Sequence, residues 1–349
     1  MPAKGCTVER ELSVIGGGVI GLSCALAAAD AGWAVSVFDA GASRRAAQVA
    51  GGMLGCFGEG HPGEAGLLDI AAASVARWPA FVDRLADPGI MTARDSLLIA
   101  ASAADLAQLD EQVRFVRARI PDAAPRLVRS TAAELRASEP GLARGIAGGY
   151  FAVGEGAVDN RRLLDALGST LRAAGVRFVD ACVADPAQAS GDQVLITAGL
   201  DSPAVAAAAG AEVAVRGEKG EILRLRRTRW SVPPPGHVVR GRWHGRTVYL
   251  VPRADGLVLG ATQYESVDHA DRAPIAGGVS DLLADGGELM PGLRTYELAE
   301  VSAGIRPSSV DGLPIVRRLD DRVLVATGHG RNGIALSPWT ADRVLELLA

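Results

Sequence analysis

The stretch "LSVIGGGVIGLSCALAAADAGWAVSVFDAG", residues 12–41, decides the fold. A short apolar run, Leu12–Ile15, leads into three glycines, Gly16, Gly18 and Gly21. Val19 to Ala31 comes next, rich in Ala and Leu and free of proline, as a helix should be, with Gly32 as its stop. Ala34–Phe38 is β-branched and aromatic enough for a second strand, and it closes on Asp39. Strand, glycine turn, helix and strand form a βαβ unit, which predicts a parallel sheet. In such a G-x-G-x-x-G turn the first glycine permits the tight bend and the second lets backbone approach a pyrophosphate. The third lets helix pack on strand, and the helix N-terminus faces the phosphates. Asp39, about twenty residues on, is placed to accept the hydroxyls of a ribose. The unit predicts a dinucleotide site; by itself it does not choose NAD over FAD.

The segment beyond Asp39 makes that choice. An NAD dehydrogenase would continue at once with further βαβ units. Here the strand runs instead into "GASRRAAQVAGGMLGCFGEG" (41–60), a long glycine-rich segment suited to backbone lying close to a flat ring. The βαβ grammar returns about a hundred residues later. Asp159 is a good N-cap for "NRRLLDALGSTLRAAG", which ends at Gly175. Val176–Val179 and "QVLITAG" (193–199) then read as strands, the second running into Ala198-Gly199. From Val213 to Thr262 the texture is β-rich, with "PPPG" at 233–236 and a hairpin turn at Asp255-Gly256, so an antiparallel meander is expected. Residues 270–298 read as helical. "VSAGIRP" and "VLVATGHGRNGI" are strand-to-loop transitions, and "SPWTADRVLELLA" is a closing helix with Pro338 at its start. The fold expected is α/β: a nucleotide domain in three pieces (1–85, 150–212, 303–349), interleaved with an α+β substrate domain (86–149, 213–302) that carries an antiparallel sheet.

Composition narrows the class. The chain has 349 residues, 48% hydrophobic and 22% charged, with a net charge of −4, an ordinary globular profile that argues against nucleic acid or an anionic membrane as partner. The basic run "LRLRRTRW" (223–230) reads as a solvated strand edge. Cys6, Cys24, Cys56 and Cys182 are scattered without a CxxC pair, which suits a reducing cytoplasm better than a disulfide framework or zinc site. The five histidines lack metal-ligand spacing, so no metal is assigned. The N-terminus shows no apolar leader and no window is long enough to span a bilayer; the expected location is cytoplasmic.

Four motifs in order, "VIGGGVIGLS", "AGGMLGCFGE", "VYLVPRADGLVLGAT" and "AGIRPSSVDGLPIV…ATGHGRNGIALSP", resemble the FAD-dependent D-amino-acid oxidase family, in particular the glycine oxidases of bacterial thiazole (thiamine) biosynthesis. A weaker match is "VRGEKGEILRL", with two copies of the family's single R/K-G-E/Q. The resemblance covers nearly the whole chain. It implies a Rossmann-like FAD-binding domain of the glutathione-reductase type, with FAD as cofactor. Gly16, Gly18, Val19, Ile20 and Gly21 would lie at the pyrophosphate, Asp39 and Ala40 at the adenosine ribose, and Gly51, Gly52 and Met53 at the flavin ring. Val183 would offer its backbone to adenine, and Ala198 and Gly199 would also contact the cofactor. His329, Gly330, Arg331, Asn332, Gly333, Ile334 and Ala335 would wrap the pyrimidine side of the flavin. Where the family places a Ser or Thr pair near the phosphate, this chain has Ala46 and Ala47; Ser43, Arg44 or Arg45 are the candidates to compensate. Related sarcosine oxidases attach flavin through a cysteine in the C-terminal half, and this chain has none after Cys182, so noncovalent FAD is expected.

The resemblance also implies a substrate clamp. An amino-acid carboxylate needs a guanidinium that sets charge and angle together, and Arg306, held extended by Pro307, matches the family's carboxylate-binding arginine. Tyr249, in "TVYLVPR", lies on the same strand face as Val251 and would bond the same carboxylate. Arg331 is the third member, with Gly330 where an aromatic is usual. Hydride transfer to flavin needs no acid or base, so no catalytic acid–base residue is assigned. His329 is given cofactor contact only, and Cys56 reads as a buried thiol. The implied activity is oxidation of glycine to its imine with O2 reduced to H2O2, the imine feeding thiazole synthesis and a thiazole synthase as partner; homo-oligomer formation is left open. The alternatives are a D-amino-acid or sarcosine oxidase, a carrier-linked dehydrogenase, and a non-catalytic flavin-binding protein.

Overall fold

The computed structural model describes residues 10–41, 45–243, 245–266, 268 and 270–349. The chain opens as expected with β1 (Glu11–Ile15), α1 (Val19–Asp30) and β2 (Ala34–Phe38). Two helices, α2 (Ala65–Val75) and α3 (Trp78–Leu85), lead to β3 (Met91–Ala93), β4 (Ser96–Ala100) and α4 (Ala103–Arg119). Then come β5 (Leu127–Ser130), α5 (Ala132–Ser138), β6 (Gly148–Ala152), β7 (Ala157–Val158) and α6 (Asn160–Ala173). Asp159 caps α6 as expected, its carboxylate accepting the N–H groups of Arg161 and Arg162 at 3.0 and 3.1 Å. β8 (Arg177–Val179), β9 (Gln193–Ile196) and α7 (Ser202–Ala208) complete this run.

The meander consists of β10 (Val215–Arg226), β11 (Val238–Trp243), β12 (Arg246–Arg253), β13 (Gly256–Gly260) and β14 (Tyr264–Ser266). Its hairpin falls one residue earlier than expected. Arg253 pairs with Gly256, so the turn residues are Ala254 and Asp255, and Gly256 is already strand. The helical span is also shorter than 270–298: α8 covers Ala276–Leu289, and Glu297 opens the long strand β15 (Glu297–Ser309). β16 (Ile315–Arg318), β17 (Val323–Thr327) and α9 (Ser337–Leu348) end the chain, with Pro338 in the first turn of α9.

Two sheets result. A six-stranded sheet runs β16-β17-β9-β1-β2-β8, parallel except for β16. Helix α1 lies on it almost wholly buried between α6 and α9, with Leu22 and Leu26 against Leu163, Leu167 and Val344. This explains a helix that is apolar all round. The second, nine-stranded sheet runs β14-β10-β13-β12-β11-β4-β6-β5, with β15 along β10. Expected boundaries at 149/150 and 302/303 fall inside β6 and β15, both strands of this larger sheet. Among the described residues no single helix is long and apolar enough to cross a membrane.

Register places the chemistry on one face of the larger sheet. Ile222, Gly260, Tyr249 and Arg240 stand in one row across β10, β13, β12 and β11. Gly220 pairs with Gly304 and Glu218 with Arg306. Residues two apart share a face, so Arg306, Gly304, Gly220, Tyr249 and Arg240 all project to the same side.

Candidate functional site

A cavity of about 1360 Å3 runs from the glycine turn to this sheet face. At its first end Gly16 has φ +112°, and a Cβ there would lie 2.5 Å from the Thr197 carbonyl oxygen, so only glycine fits. Thr197 in turn donates its hydroxyl to the carbonyls of Ile15 and Gly16 at 3.0 and 2.9 Å, tying the turn to β9. Gly21 is needed for packing, since a Cβ would stand 2.0 Å from the Gly16 oxygen. Gly18 differs: a Cβ there would meet nothing within 4 Å, because it faces the cavity. It precedes α1 with no side-chain cap and no acidic residue in the first turn. Amides left unclaimed among the described residues, at a helix N-terminus that opens into a cavity, suit a pyrophosphate.

Asp39, at the end of β2, lines the cavity and pairs with Arg45. The Nε of Arg45 is buried without a partner among the described residues. Arg45 thus places a guanidinium in the cavity beside Ala46 and Ala47, which carry no hydroxyl; Ser43 and Arg44 lie outside the described residues. The segment carrying Ala46 to Met53 is fixed from behind. Asn160 donates to the Ala47 carbonyl at 2.6 Å and Arg253 to the Gly51 carbonyl at 2.9 Å. Burial pushes the Arg253 guanidinium down to about 10, opposed by Asp159. Val158 N–H donates to Gly52 at 2.8 Å. Gly52 has φ +80°, and a Cβ would strike the Val158 oxygen at 2.1 Å. Beyond it, buried Glu155 accepts the N–H groups of Phe57 and Gly58.

Most of the residues expected at the cofactor reach the cavity: Gly16, Gly18, Val19, Ile20, Asp39, Ala40, Arg45, Ala46, Ala47, Gly51, Gly52, Met53, Val183, Ala198, Gly199 and His329 to Ile334. Gly21 and Ala335 do not. Gly21 is buried in the helix–strand contact, and the Ala335 carbonyl turns away to accept Ser74 Oγ and Trp78 Nε1 at 2.6 and 3.0 Å. His329 is 5% exposed and bonds Thr340 Oγ1 through Nε2 at 2.9 Å. Thr340 already donates its single hydroxyl hydrogen to the Leu336 carbonyl, so His329 is the donor and its Nε2 carries the proton. Burial pushes its pKa down to about 3. A neutral imidazole thus anchors the loop after β17 to α9. Burial pushes the Cys56 thiol up, away from thiolate chemistry.

At the far end Arg306 reaches back over β10. A Cβ on Gly220 would lie 2.2 Å from its Nη2. The Arg306 guanidinium lines the cavity and makes no hydrogen bond or ion pair among the described residues. Tyr249 is held between two glycines, with a Cβ on Gly51 2.9 Å from its ring and one on Gly260 2.4 Å from its hydroxyl. Burial raises the Tyr249 phenol, and Arg306 pulls it the other way. Arg306 and Tyr249 are brought together as expected. Arg331 lines the cavity but is not a free third clamp. It bonds Glu59 at 3.0 Å and Glu64 at 2.8 Å, and these carboxylates hold its pKa above the usual range against its burial. Glu59 also takes Arg240 at 2.6 Å. Glu59, Glu64 and Arg240 were not among the residues expected here.

A comparison with protein families matches residues 11–347 to "DAO: FAD dependent oxidoreductase". The chain belongs to this family. FAD is its cofactor, and the uncapped α1 terminus, the open face at Gly18 and the orphaned Arg45 Nε are where this DAO-family chain fits it. Its relatives include the glycine oxidase of Geobacillus kaustophilus, 31% identical over 98% of this chain and 93% of that protein. The bifunctional protein ThiO/ThiG of Trichormus variabilis is 29% identical over 98% of this chain but 53% of its own length. Among solved structures, the crystal structure of the Geobacillus kaustophilus glycine oxidase superposes with a TM-score of 0.84, at 27% identity over 97% of this chain and 95% of that one.

Proposed function

We propose that this protein oxidises glycine, or a similarly small amine carrying one carboxylate, to its imine. The observation that carries this reading is the guanidinium of Arg306, unpaired among the described residues and seated over Gly220 beside Tyr249 in the FAD cavity. A cation with no partner among the described residues, next to a protonated phenol, is a site made for an anion. The α1 N-terminus at Gly18 and the Gly51–Met53 segment would hold FAD, which would supply a hydride acceptor for the α-hydrogen and a path for the electrons to O2, giving H2O2. The chain's own task is placement. Arg306 binds the substrate carboxylate, and Tyr249, kept protonated by burial, donates to the same group. Gly51 lets the backbone lie against the Tyr249 ring and keeps that wall close. Holding the α-carbon in a reactive attitude is worth more here than acid–base help.

Released imine would hydrolyse to glyoxylate and ammonia or be handed on. We assign it to thiazole assembly with a thiazole synthase as partner, supported by relatives named bifunctional protein ThiO/ThiG that continue beyond the region matched by this chain. We take the compartment to be cytoplasmic; Cys24, Cys56 and Cys182 are free thiols. The test is H2O2 and glyoxylate formation by the FAD-loaded protein with glycine, sarcosine and D-alanine in turn. Glycine turnover at the highest kcat/KM supports the reading, and turnover of none of the three refutes it.

A further inference from the structure

Tyr249 stands between two kinds of arginine on the same sheet face. On one side Arg306, over β10, has no carboxylate partner among the described residues. On the other, Arg240 is the direct cross-strand neighbour of Tyr249, so the two side chains leave the sheet side by side. Arg240 is bound through Nη2 to Glu59 at 2.6 Å, while its Nη1 is buried without a partner among the described residues. Arg331 closes the same wall, bonded to the second oxygen of Glu59 and to Glu64. Two arginines and two glutamates therefore sum to zero charge on the side of Tyr249 away from Arg306. Burial opposes the charge on Glu59, yet Arg240 and Arg331 hold its carboxyl below the usual range, so it is ionised at neutral pH. Arg242 also borders the cavity. It lies two residues farther along β11, about 7 Å away, and bonds the side-chain carbonyls of Gln108 and Gln112 on α4.

We propose that Glu59 determines substrate specificity by charge: it neutralises Arg240 and Arg331, so that the site accepts one carboxylate, at Arg306, and rejects substrates bearing a second one near the amine. This rests on the proposed amine-oxidase function and adds the group that selects among amines. In Glu59→Gln the amide keeps the shape of the side chain but releases two guanidinium groups, one already holding an unused N–H. A second carboxylate on the substrate nitrogen then finds a cationic wall.

The experiment compares glycine with iminodiacetate, which is glycine carrying a second carboxylate on its nitrogen. Wild-type holoenzyme is expected to favour glycine in kcat/KM. Glu59→Gln should raise the iminodiacetate-to-glycine ratio about tenfold or more, the worth of one charge-assisted hydrogen bond. Glu64→Gln, at the outer end of Arg331, should move it the same way by less. A binding arm reads the flavin absorbance on titration with acetate and with malonate, and malonate should gain on acetate in both variants. Glycine turnover with an unchanged ratio in both variants overturns the inference and leaves the proposed function standing. Failure of wild type to oxidise glycine overturns that function instead, and the acetate–malonate comparison then decides the charge rule on its own. If Glu59→Gln does not retain FAD, an unchanged ratio in Glu64→Gln overturns it.

Discussion

Gly220→Ala adds one methyl group beneath the guanidinium of Arg306. Built on the existing backbone, it would stand 2.2 Å from Nη2, 2.5 Å from Cζ and 2.7 Å from Nη1. Carbon contacts settle at about 3.5 Å, so the guanidinium must retreat by about 1 Å. The atoms displaced are the far end of a flexible side chain, and Gly220 is an ordinary strand position paired with Gly304. Folding and FAD binding should therefore survive. What is lost is the angle of a two-point clamp. Forfeiting one charge-assisted hydrogen bond costs about 1.5–3 kcal/mol, which is about 10–150-fold in kcat/KM. The assay is H2O2 release at varied glycine, with flavin content and thermal midpoint measured on the same preparation. A variant with full flavin and kcat/KM within about twofold of wild type would refute the seat of Arg306 as the substrate anchor.

The same geometry sets three further outcomes. Tyr249→Phe keeps the ring between Gly51 and Gly260 but removes the hydroxyl; kcat/KM for glycine should fall by about tenfold with FAD retained, and an unchanged value would place the substrate elsewhere. His329, with a pKa pushed down from 6.5 to about 3 by burial, refuses a proton that the unfolded chain accepts. Its share of stability is intact above pH 6.5 and lost as pH falls toward 3, by about 1.4 kcal/mol per pH unit. His329→Gln should flatten urea-derived stability between pH 7 and pH 5, and equal slopes in both proteins would contradict a buried neutral imidazole. Asp159→Ala removes the α6 cap and should cost about 1 kcal/mol in urea unfolding with FAD still bound; no loss would mean the cap is idle.

The nucleotide half of this molecule is written locally, which is why it reads so well. β1, α1, β2 and the α6 cap are each specified by a few adjacent residues, and the glycine spacing is a backbone requirement visible in the letters themselves. The larger sheet is less legible. "SLLIA" at 96–100 is a buried strand, but a five-residue apolar run has no periodicity to separate it from helix. Residues 276–289 do form a helix despite four glycines, since Gly278 and Gly286 lie where a Cβ would strike Glu221 and Leu259. Arg306 and Tyr249 were identifiable as separate residues, yet only the register of four strands puts them on one face. The ion pairs of Arg331 are hidden for the same reason. Its partners Glu59 and Glu64 lie more than 260 residues away in sequence, and nothing local says that an arginine in "HGRNG" is already paired. The glutamate in "CFGEG" was the available signal, an acidic residue closing a glycine-rich segment otherwise meant for an anionic cofactor.

The most direct measurement is anaerobic. Wild type and Arg306→Met, both carrying FAD, are mixed with glycine while the flavin absorbance is followed, and air is then admitted with H2O2 assayed. Wild type should bleach rapidly and give peroxide on reoxidation, with Arg306→Met remaining yellow at glycine concentrations that saturate the wild type. Bleaching of Arg306→Met at the wild-type rate, or a wild-type flavin that glycine does not reduce, would contradict a substrate anchored at Arg306.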